Sequence, residues 1–241
     1  MQRKGRTVII GGVAGGASCA ARLRRLDAER EIVLLERGND ISYANCGLPY
    51  HVGDVIRSRD ALLLMTPERM KSRFEIDVRV RSEAVAIHRD RKSVTVRRLD
   101  DGEEYELGYD DLVIATGSSP LRPRIPGIDS PRIRTLWTVP DADAIRKLIR
   151  EGLHSAAVIG GGFIGLEMAE NLHRAGLQVT LIEALDQVMA PLDFEMAQLL
   201  HENIRHSGWS SAWQTRWTPL PTTAAPSPSG SRAALRCAPS W

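Results

Sequence analysis

Apolar and polar positions along the chain switch between two periods. Residues 7–10 (TVII) form a short β-branched, apolar run that stops at GGVAGG. ASCAARLRRLDA follows, with Ala17, Ala20, Ala21 and Arg24 at helical spacing. Glu31–Leu35 is strand-like again and ends at Glu36. The same order returns about 150 residues later: residues 156–159, then GGGFIG, then LEMAENLHRAG, then Gln178–Ile182 ending at Glu183. Between the two units, residues 37–60 read as irregular. Residues 66–73 read as a helix, with Pro67 in an N1-like place after Thr66. Residues 78–80, 84–88 and 93–98 read as short strands, and LDDGEEYEL as a hairpin-like link. Residues 112–116 (LVIAT) read as a buried strand ending at Gly117, followed by a proline-rich connector and an amphipathic helix over 141–150. FEMAQLLHENIRHSG reads as a further amphipathic helix, after which a strand is due.

Strand, glycine turn, helix, strand is a βαβ unit, and here it occurs twice. The predicted fold class is α/β, with two Rossmann-like nucleotide-binding units. In the second, Gly160, Gly162 and Gly165 fit G-x-G-x-x-G. The first glycine permits a tight turn, the second lets backbone approach a pyrophosphate, and the third lets the helix pack close to the strand. The helix start then offers free N–H groups to phosphate. Glu183 stands 18 residues after Gly165 at a strand end, where an acid accepts from ribose hydroxyls and repels a 2′-phosphate, favouring NADH over NADPH. The first unit departs from the pattern: Gly11 and Gly16 hold the outer positions, but Val13 holds the middle one. A valine there is expected to keep backbone farther from a pyrophosphate, with Gly12 and Gly15 loosening the turn. Glu36 lies 20 residues after Gly16.

Composition narrows the function classes. A chain of 241 residues, 43% hydrophobic, can build one large or two small cores. A net charge of +2 gives no electrostatic case for nucleic acid. No run of 18 apolar residues points to a membrane span, and MQRKGRTVIIGG is no secretory signal. Three cysteines, Cys19, Cys46 and Cys237, are too few for a disulfide framework, so a reduced, cytoplasmic protein is expected. The histidines show no metal spacing, and no metal site is expected.

VIIGGVAGG, SYANCGLPY, YDDLVIATGSSPLRPRIPGI and VIGGGFIGLEMAENL, in this order, resemble the FAD-dependent pyridine nucleotide–disulfide oxidoreductases, and above all the single-cysteine branch that includes coenzyme A-disulfide reductases. The resemblance covers about residues 5–206. It implies FAD at Gly11, Gly12, Val13, Ala14, Gly15, Gly16, Glu36, Arg37, Ala84, Ala115, Thr116 and Gly117. It implies NADH or NADPH at Gly160, Gly161, Gly162, Phe163, Ile164, Gly165 and Glu183. The Val13 departure is itself typical of the coenzyme A branch. Expected divisions are a FAD-binding part over 1–120, a nucleotide-binding part over 121–207 and an aberrant tail over 208–241.

The resemblance also implies what the lone Cys46 does. Reductases of bulky disulfides commonly carry C-x4-C, but position 51 here is His51, and Cys19 reads as a small residue packed against the sheet. Cys46 is therefore expected to cycle alone, through a mixed disulfide with a small thiol or through a sulfenic acid, as in NADH peroxidases and oxidases. Relatives with a sulfenic acid carry a histidine at the position of Ala14, whereas Asn45 and the following GLPY resemble the coenzyme A branch. By that resemblance Ser18, Arg22, Arg25, Ser42 and Asn45 match substrate-contacting positions. Coenzyme A is anionic, and Arg22 and Arg25 share a helix face; the bland alternative is a solvated basic face. His51 is expected to be a loop histidine, since the family's acid–base groups come from a partner subunit's C-terminal domain. That dimerisation domain, and a later Gly-Asp segment on the flavin, do not occur in these 241 residues. Weak FAD binding and little reductase activity are expected of the chain alone, which leaves an inactive nucleotide-binding fragment as a further reading.

Residues 207–241 hold no Asp or Glu, four of the five Trp and five of the thirteen Pro. A frameshift product is expected here, packing poorly and without regular sheet; the competing reading is an evolved, disordered Pro/Ser-rich tail. Trp is encoded only by TGG, and sliding the frame back one base turns each codon into NTG, which encodes Val, Leu or Met. Sequencing the gene tests this: the frame one base back is expected to stay open and continue to a Gly-Asp motif, and a stop codon there rejects the shift.

Overall fold

The computed structural model describes residues 5–212 and 232–236. In chain order the elements are β1 (Arg6–Ile10), α1 (Ala14–Leu26), β2 (Glu31–Leu35), α2 (Leu48–Val52), α3 (Pro67–Phe74), β3 (Asp77–Arg79), β4 (Ser82–His88), β5 (Ser93–Arg98), β6 (Glu104–Gly108) and β7 (Asp111–Ile114). They continue as β8 (Ile133–Thr135), α4 (Val139–Arg150), β9 (Ser155–Ile159), α5 (Phe163–Arg174), β10 (Gln178–Ile182), α6 (Phe194–His206), β11 (Ser210–Ala212) and β12 (Arg232–Arg236). Packing divides the chain into two units: Met1–Ala44 with Asp60–Ser118, and Asn45–Arg59 with Ser119–Trp241. The division expected near residue 120 therefore differs in one respect. The segment that carries Cys46 packs with the second unit.

In the first unit, β3-β2-β1-β7 form a parallel sheet, with Val8 opposite Val33 on one side and Leu112 on the other. Alternate residues of β1 and β2 feed two cores. Ile9, Ile32 and Leu34 pack with Ala17 and Ala20 of α1, Met70 of α3 and Ile76. Val8, Ile10, Val33 and Leu35 pack with Val94, Val96 and Leu107 of the antiparallel sheet β4-β5-β6. Burial on both faces explains why these strands read as continuous apolar runs. Cys19 packs, partly buried, against the first core, as expected. Thr66 caps α3 by accepting from the Arg69 N–H at 3.3 Å, with Pro67 in the first turn. Arg24 of α1 donates to the Phe74 carbonyl at 2.7 Å and the Glu75 carbonyl at 3.2 Å, so it closes the other end of α3.

In the second unit, a parallel sheet runs β11-β10-β9-β12-β8. A capping box starts α4: the Thr138 N–H donates to the Asp141 carboxylate at 2.8 Å. Val158, Met168, Leu172, Leu181 and Ile145 are fully buried. His201, also buried, accepts the Val188 N–H on Nε2 at 3.1 Å, and its burial, with Arg205 nearby, pushes its pKa down.

Two expectations are corrected. Residues 37–60 are not irregular throughout: a 3-10 turn at Asn45–Gly47 leads into α2, with Pro49 in its first turn, where the missing N–H breaks nothing. Five residues are too few to show a period. The tail is not free of sheet: β11 pairs in parallel with β10, and β12 runs between β9 and β8, with Ala234 opposite Ala157. Pairing with β9 counts there against both the frameshift and the disordered-tail readings. Main-chain ladders are made by backbone groups, so a composition without acids does not forbid them. Residues 213–231 and 237–241 of the expected tail lie outside the described residues. Among the described residues no helix is long and apolar enough to cross a membrane, and no three His, Cys, Asp or Glu group as a metal site.

The close helix–strand contact sets a stability test. A Cβ on Gly16 would fall far inside contact with the Gly11 carbonyl oxygen, whereas one on Gly15 meets only the Ala115 Cβ, at 3.7 Å. Gly16→Ala is expected to cost at least about 2 kcal/mol in urea unfolding, and Gly15→Ala to stay within about 1 kcal/mol of the parent, since overpacking against backbone has no soft neighbour to yield.

Candidate active site and its two glycine cradles

The two glycine turns are geometric copies. Gly11 and Gly160 carry φ of 102° and 105°, which glycine alone adopts freely. Their N–H groups donate to the last residue of the neighbouring strand, Leu35 and Ile182, both at 2.8 Å. At Gly165, as at Gly16, an added Cβ would strike the carbonyl of the first glycine. Neither α1 nor α5 is capped by a side chain, so their first N–H groups stand open to an anion. The middle positions, Val13 and Gly162, have φ of −91° and −78°. Neither is left-handed, so backbone conformation tolerates the valine and only its bulk distinguishes the turns.

Each turn is closed by the acid at the end of the next strand. Glu36 accepts from Gly12 N–H at 2.8 Å and Gly38 N–H at 2.7 Å. Glu183 accepts from Gly161 N–H at 2.6 Å and Leu185 N–H at 2.9 Å. Each oxygen keeps a lone pair for a ribose hydroxyl. The residues present therefore fit two dinucleotides. The first cradle also gathers the end of β7: the Ala115 N–H donates to Ile10 at 2.8 Å, and the Ala115 carbonyl lies where a side chain on Gly11 would project. Thr116 and Gly117 follow, exposed, with Gly117 at φ 65°. Arg37 is exposed beside Glu36, and the Glu36 carbonyl accepts from Ser82 two residues before Ala84. Ser18, Arg22 and Arg25 all lie exposed on α1, at spacings of four and three that share a face. Ser42, at φ 45°, donates its N–H to the Gly12 carbonyl at 2.9 Å.

Cys46 is an exposed free thiol. It lines a cavity of about 320 Å³ with Asn45, Leu48, Pro49, Leu136, Trp137, Phe163, Ile164 and Glu167. The walls are mostly apolar, and two are aromatic. Phe163, Ile164 and Glu167 belong to the first turns of α5, directly after the second cradle. Burial raises the Glu167 pKa, and the nearby Glu170 charge adds to the rise. Sequence reasoning missed Trp137 and Glu167. Glu167 was accessible to it, since it stands four residues after Phe163 on one helix face. Trp137, in the link before α4, carried no periodic signal.

His51 is a correction. It is no loop histidine but a helical residue of α2, 1% exposed. Its Nδ1 lies 2.6 Å from the Ile56 carbonyl and its Nε2 3.1 Å from Arg146 Nη1. Arginine only donates, so Nε2 accepts and Nδ1–H donates. Both nitrogens are engaged, and His51 is not available as a base for Cys46.

If Glu183 is the ribose acceptor, Glu183→Arg is expected to raise the preference for NADPH over NADH at least about tenfold in kcat/KM or in binding. An unchanged ratio takes Glu183 off the ribose.

Coenzyme A disulfide reductase of Staphylococcus haemolyticus (strain JCSC1435) is 38% identical over 198 residues, which cover 82% of this chain and 44% of that protein. The crystal structure of reduced CoADR-RHD from Bacillus anthracis matches with a TM-score of 0.92 at 44% identity, over 98% of this chain and 44% of that one. The NAD-dependent persulfide reductase from A. fulgidus matches with a TM-score of 0.89 at 36% identity, over 98% and 45%. The chain thus spans less than half the length of these relatives. Residues 5–220 match the pyridine nucleotide-disulphide oxidoreductase family, whose members are NAD(P)H-dependent flavin oxidoreductases, and the chain belongs to that family.

Proposed function

We propose that this chain provides the flavin and nicotinamide sites of a reductase acting on a small-thiol disulfide, of which coenzyme A disulfide is the favoured substrate, through Cys46 alone. The observation that carries the reading is the cavity where an exposed thiol meets the first turn of the nicotinamide helix, with no other cysteine among the described residues lining it. FAD is assigned to the cradle at Gly11–Gly16 with Glu36, and NADH to the cradle at Gly160–Gly165 with Glu183. When bound, FAD supplies a two-electron relay between a nicotinamide and sulfur.

The chain's own residues do the rest. The open N–H groups of α1 and α5 hold pyrophosphate, and the two glutamates orient ribose. The Cys46 thiolate attacks one sulfur of the substrate disulfide and expels the other thiolate, leaving a mixed disulfide on Cys46. Two electrons then cleave that bond and return the Cys46 thiolate and the second free thiol. Ser18, Arg22, Arg25, Ser42 and Asn45 are assigned to the anionic substrate, the arginines to its phosphates. Arg24, by contrast, is committed to carbonyls at the end of α3, so only two arginines of RLRR remain for a ligand. The relatives support this substrate class: one is a coenzyme A disulfide reductase and one a persulfide reductase.

The test is NADH-dependent thiol release from coenzyme A disulfide by protein loaded with FAD, with peroxide and oxygen as competing acceptors. Cys46→Ser is expected to lower disulfide reduction at least about 1,000-fold while the flavin spectrum persists. Retained reduction sinks the single-thiol mechanism, and turnover of peroxide or oxygen in place of the disulfide moves the assignment to a sulfenic acid oxidase or peroxidase.

A further inference from the structure

Arg146 lies on α4 and is buried, 9% exposed, a costly place for a cation unless its hydrogen bonds are met. All of its bonds go to α2 and the turn that leaves it. Nη1 donates to the Arg57 carbonyl at 2.9 Å and to His51 Nε2 at 3.1 Å, and Nη2 pairs with the Asp54 carboxylate. Asp54 is itself left-handed, at φ 61°, a conformation that a non-glycine residue keeps only when its surroundings hold it there. Beside it, Arg59 donates to Asp143 of α4 at 3.0 Å, and the same carboxylate lies 3.5 Å from His51 Nε2. On the other side Gly53 is pressed onto α5: a Cβ there would come within 2.5 Å of Asn171 Oδ1 and 2.9 Å of its carbonyl oxygen.

These contacts share one geometry. The cavity at Cys46 has three walls: the start of α2, the Leu136–Trp137 link that enters α4, and the first turns of α5. The exit of α2 is fastened to the same α4 by Arg146 and Asp143, and to the same α5 by Gly53. Five residues of helix, about 7.5 Å, separate the turn after α2 from the cysteine turn. So short a helix has no stability of its own and takes its direction from whatever holds its ends.

We propose that Arg146 is a positioning residue for Cys46: it does not touch the thiol, but by gripping the exit of α2 it sets how the thiol stands against the cavity walls. The proposal rests on the disulfide-reductase reading only for which thiol reacts. Its test needs neither flavin nor NADH, so a failed turnover assay and a failed positioning test are separate results.

The experiment is iodoacetamide labelling of the intact chain, with Cys46 and Cys19 followed separately by peptide mass spectrometry. Cys19, on α1 in the other unit, is the internal control. In Arg146→Lys, one ammonium cannot hold Asp54, the Arg57 carbonyl and His51 together. The thiol is expected to swing away from its walls, and the Cys46 rate relative to Cys19 to rise at least about fivefold, in the range by which such indirect residues act. In Arg146→Ala the same rise is expected, and millimolar methylguanidinium is expected to reverse it. General loosening would raise both cysteines together and leave the ratio alone. If Arg146→Ala does not fold, Asp54→Asn, an exposed change that weakens a single bond, is expected to raise the ratio at least about twofold. A ratio that stays level or falls in the folded variants overturns the proposal.

Discussion

The third glycine of each turn, Gly16 and Gly165, is the constraint on which the cradles depend. There the helix rests directly on the carbonyl of the first glycine, a contact with no room for a Cβ. That approach points the uncapped helix start across the strand end. It also brings the residue after the first glycine, Gly12 or Gly161, within reach of the carboxylate on the next strand. A ligand anion, a helix start and a ribose acceptor are thereby aligned before any nucleotide arrives. The duplication extends to the loops behind: Ser42 donates to the Gly12 carbonyl at 2.9 Å, as Met189 does to Gly161 at 2.8 Å. The two chain segments have little sequence in common outside the turns, so shared geometry here follows from the shared constraint.

Cys46 obeys a different logic. Its segment, Asn45–Arg59, branches from the first unit in sequence but packs with the second. It contains no long helix, and beyond the buried Leu48, Pro49 and Val52 its contacts are polar. A buried arginine with three acceptors, a buried histidine with both nitrogens used and a left-handed aspartate hold fifteen residues in place. Such a network fixes one geometry more sharply than apolar contact does, because a half-satisfied version leaves a cation and a carbonyl buried without partners.

This contrast explains what could be read in the sequence. β1 and β2 announced themselves because strands buried on both faces form near-continuous apolar runs, and β9 and β10 because buried apolar residues alternate along them on either side of the glycine turn and its helix. The helices α1, α3, α4, α5 and α6 are long enough to show a period or carry a cap, as Thr66 and Thr138 do. Glu36 and Glu183 were legible from spacing alone. α2 was not, since five residues hold barely more than one turn. The surroundings of His51 were not legible either: Arg146 is 95 residues away, and nothing in a single sequence links two such positions. The sheet partners of β12 escaped for the opposite reason. Composition speaks of side chains, and a ladder is built from main chain.

The place of His51 bears on the chemistry. A C-x4-C pair would put its second thiol at that position, and the chain has there a ring held between the Ile56 carbonyl and Arg146. The site is filled and fastened, so the cysteine four residues beyond the turn is replaced by a group that cannot exchange electrons and is not free to exchange a proton with Cys46. In the proposed reaction an oxidised Cys46 therefore bonds to an atom brought from outside. There that atom is the sulfur of a small thiol, and the mixed disulfide it forms is neutral, which suits a cavity walled largely by apolar side chains. The fastening that fills position 51 with a histidine thus leaves the Cys46 thiol facing a cavity in which, in the proposed reaction, a foreign sulfur takes the second place.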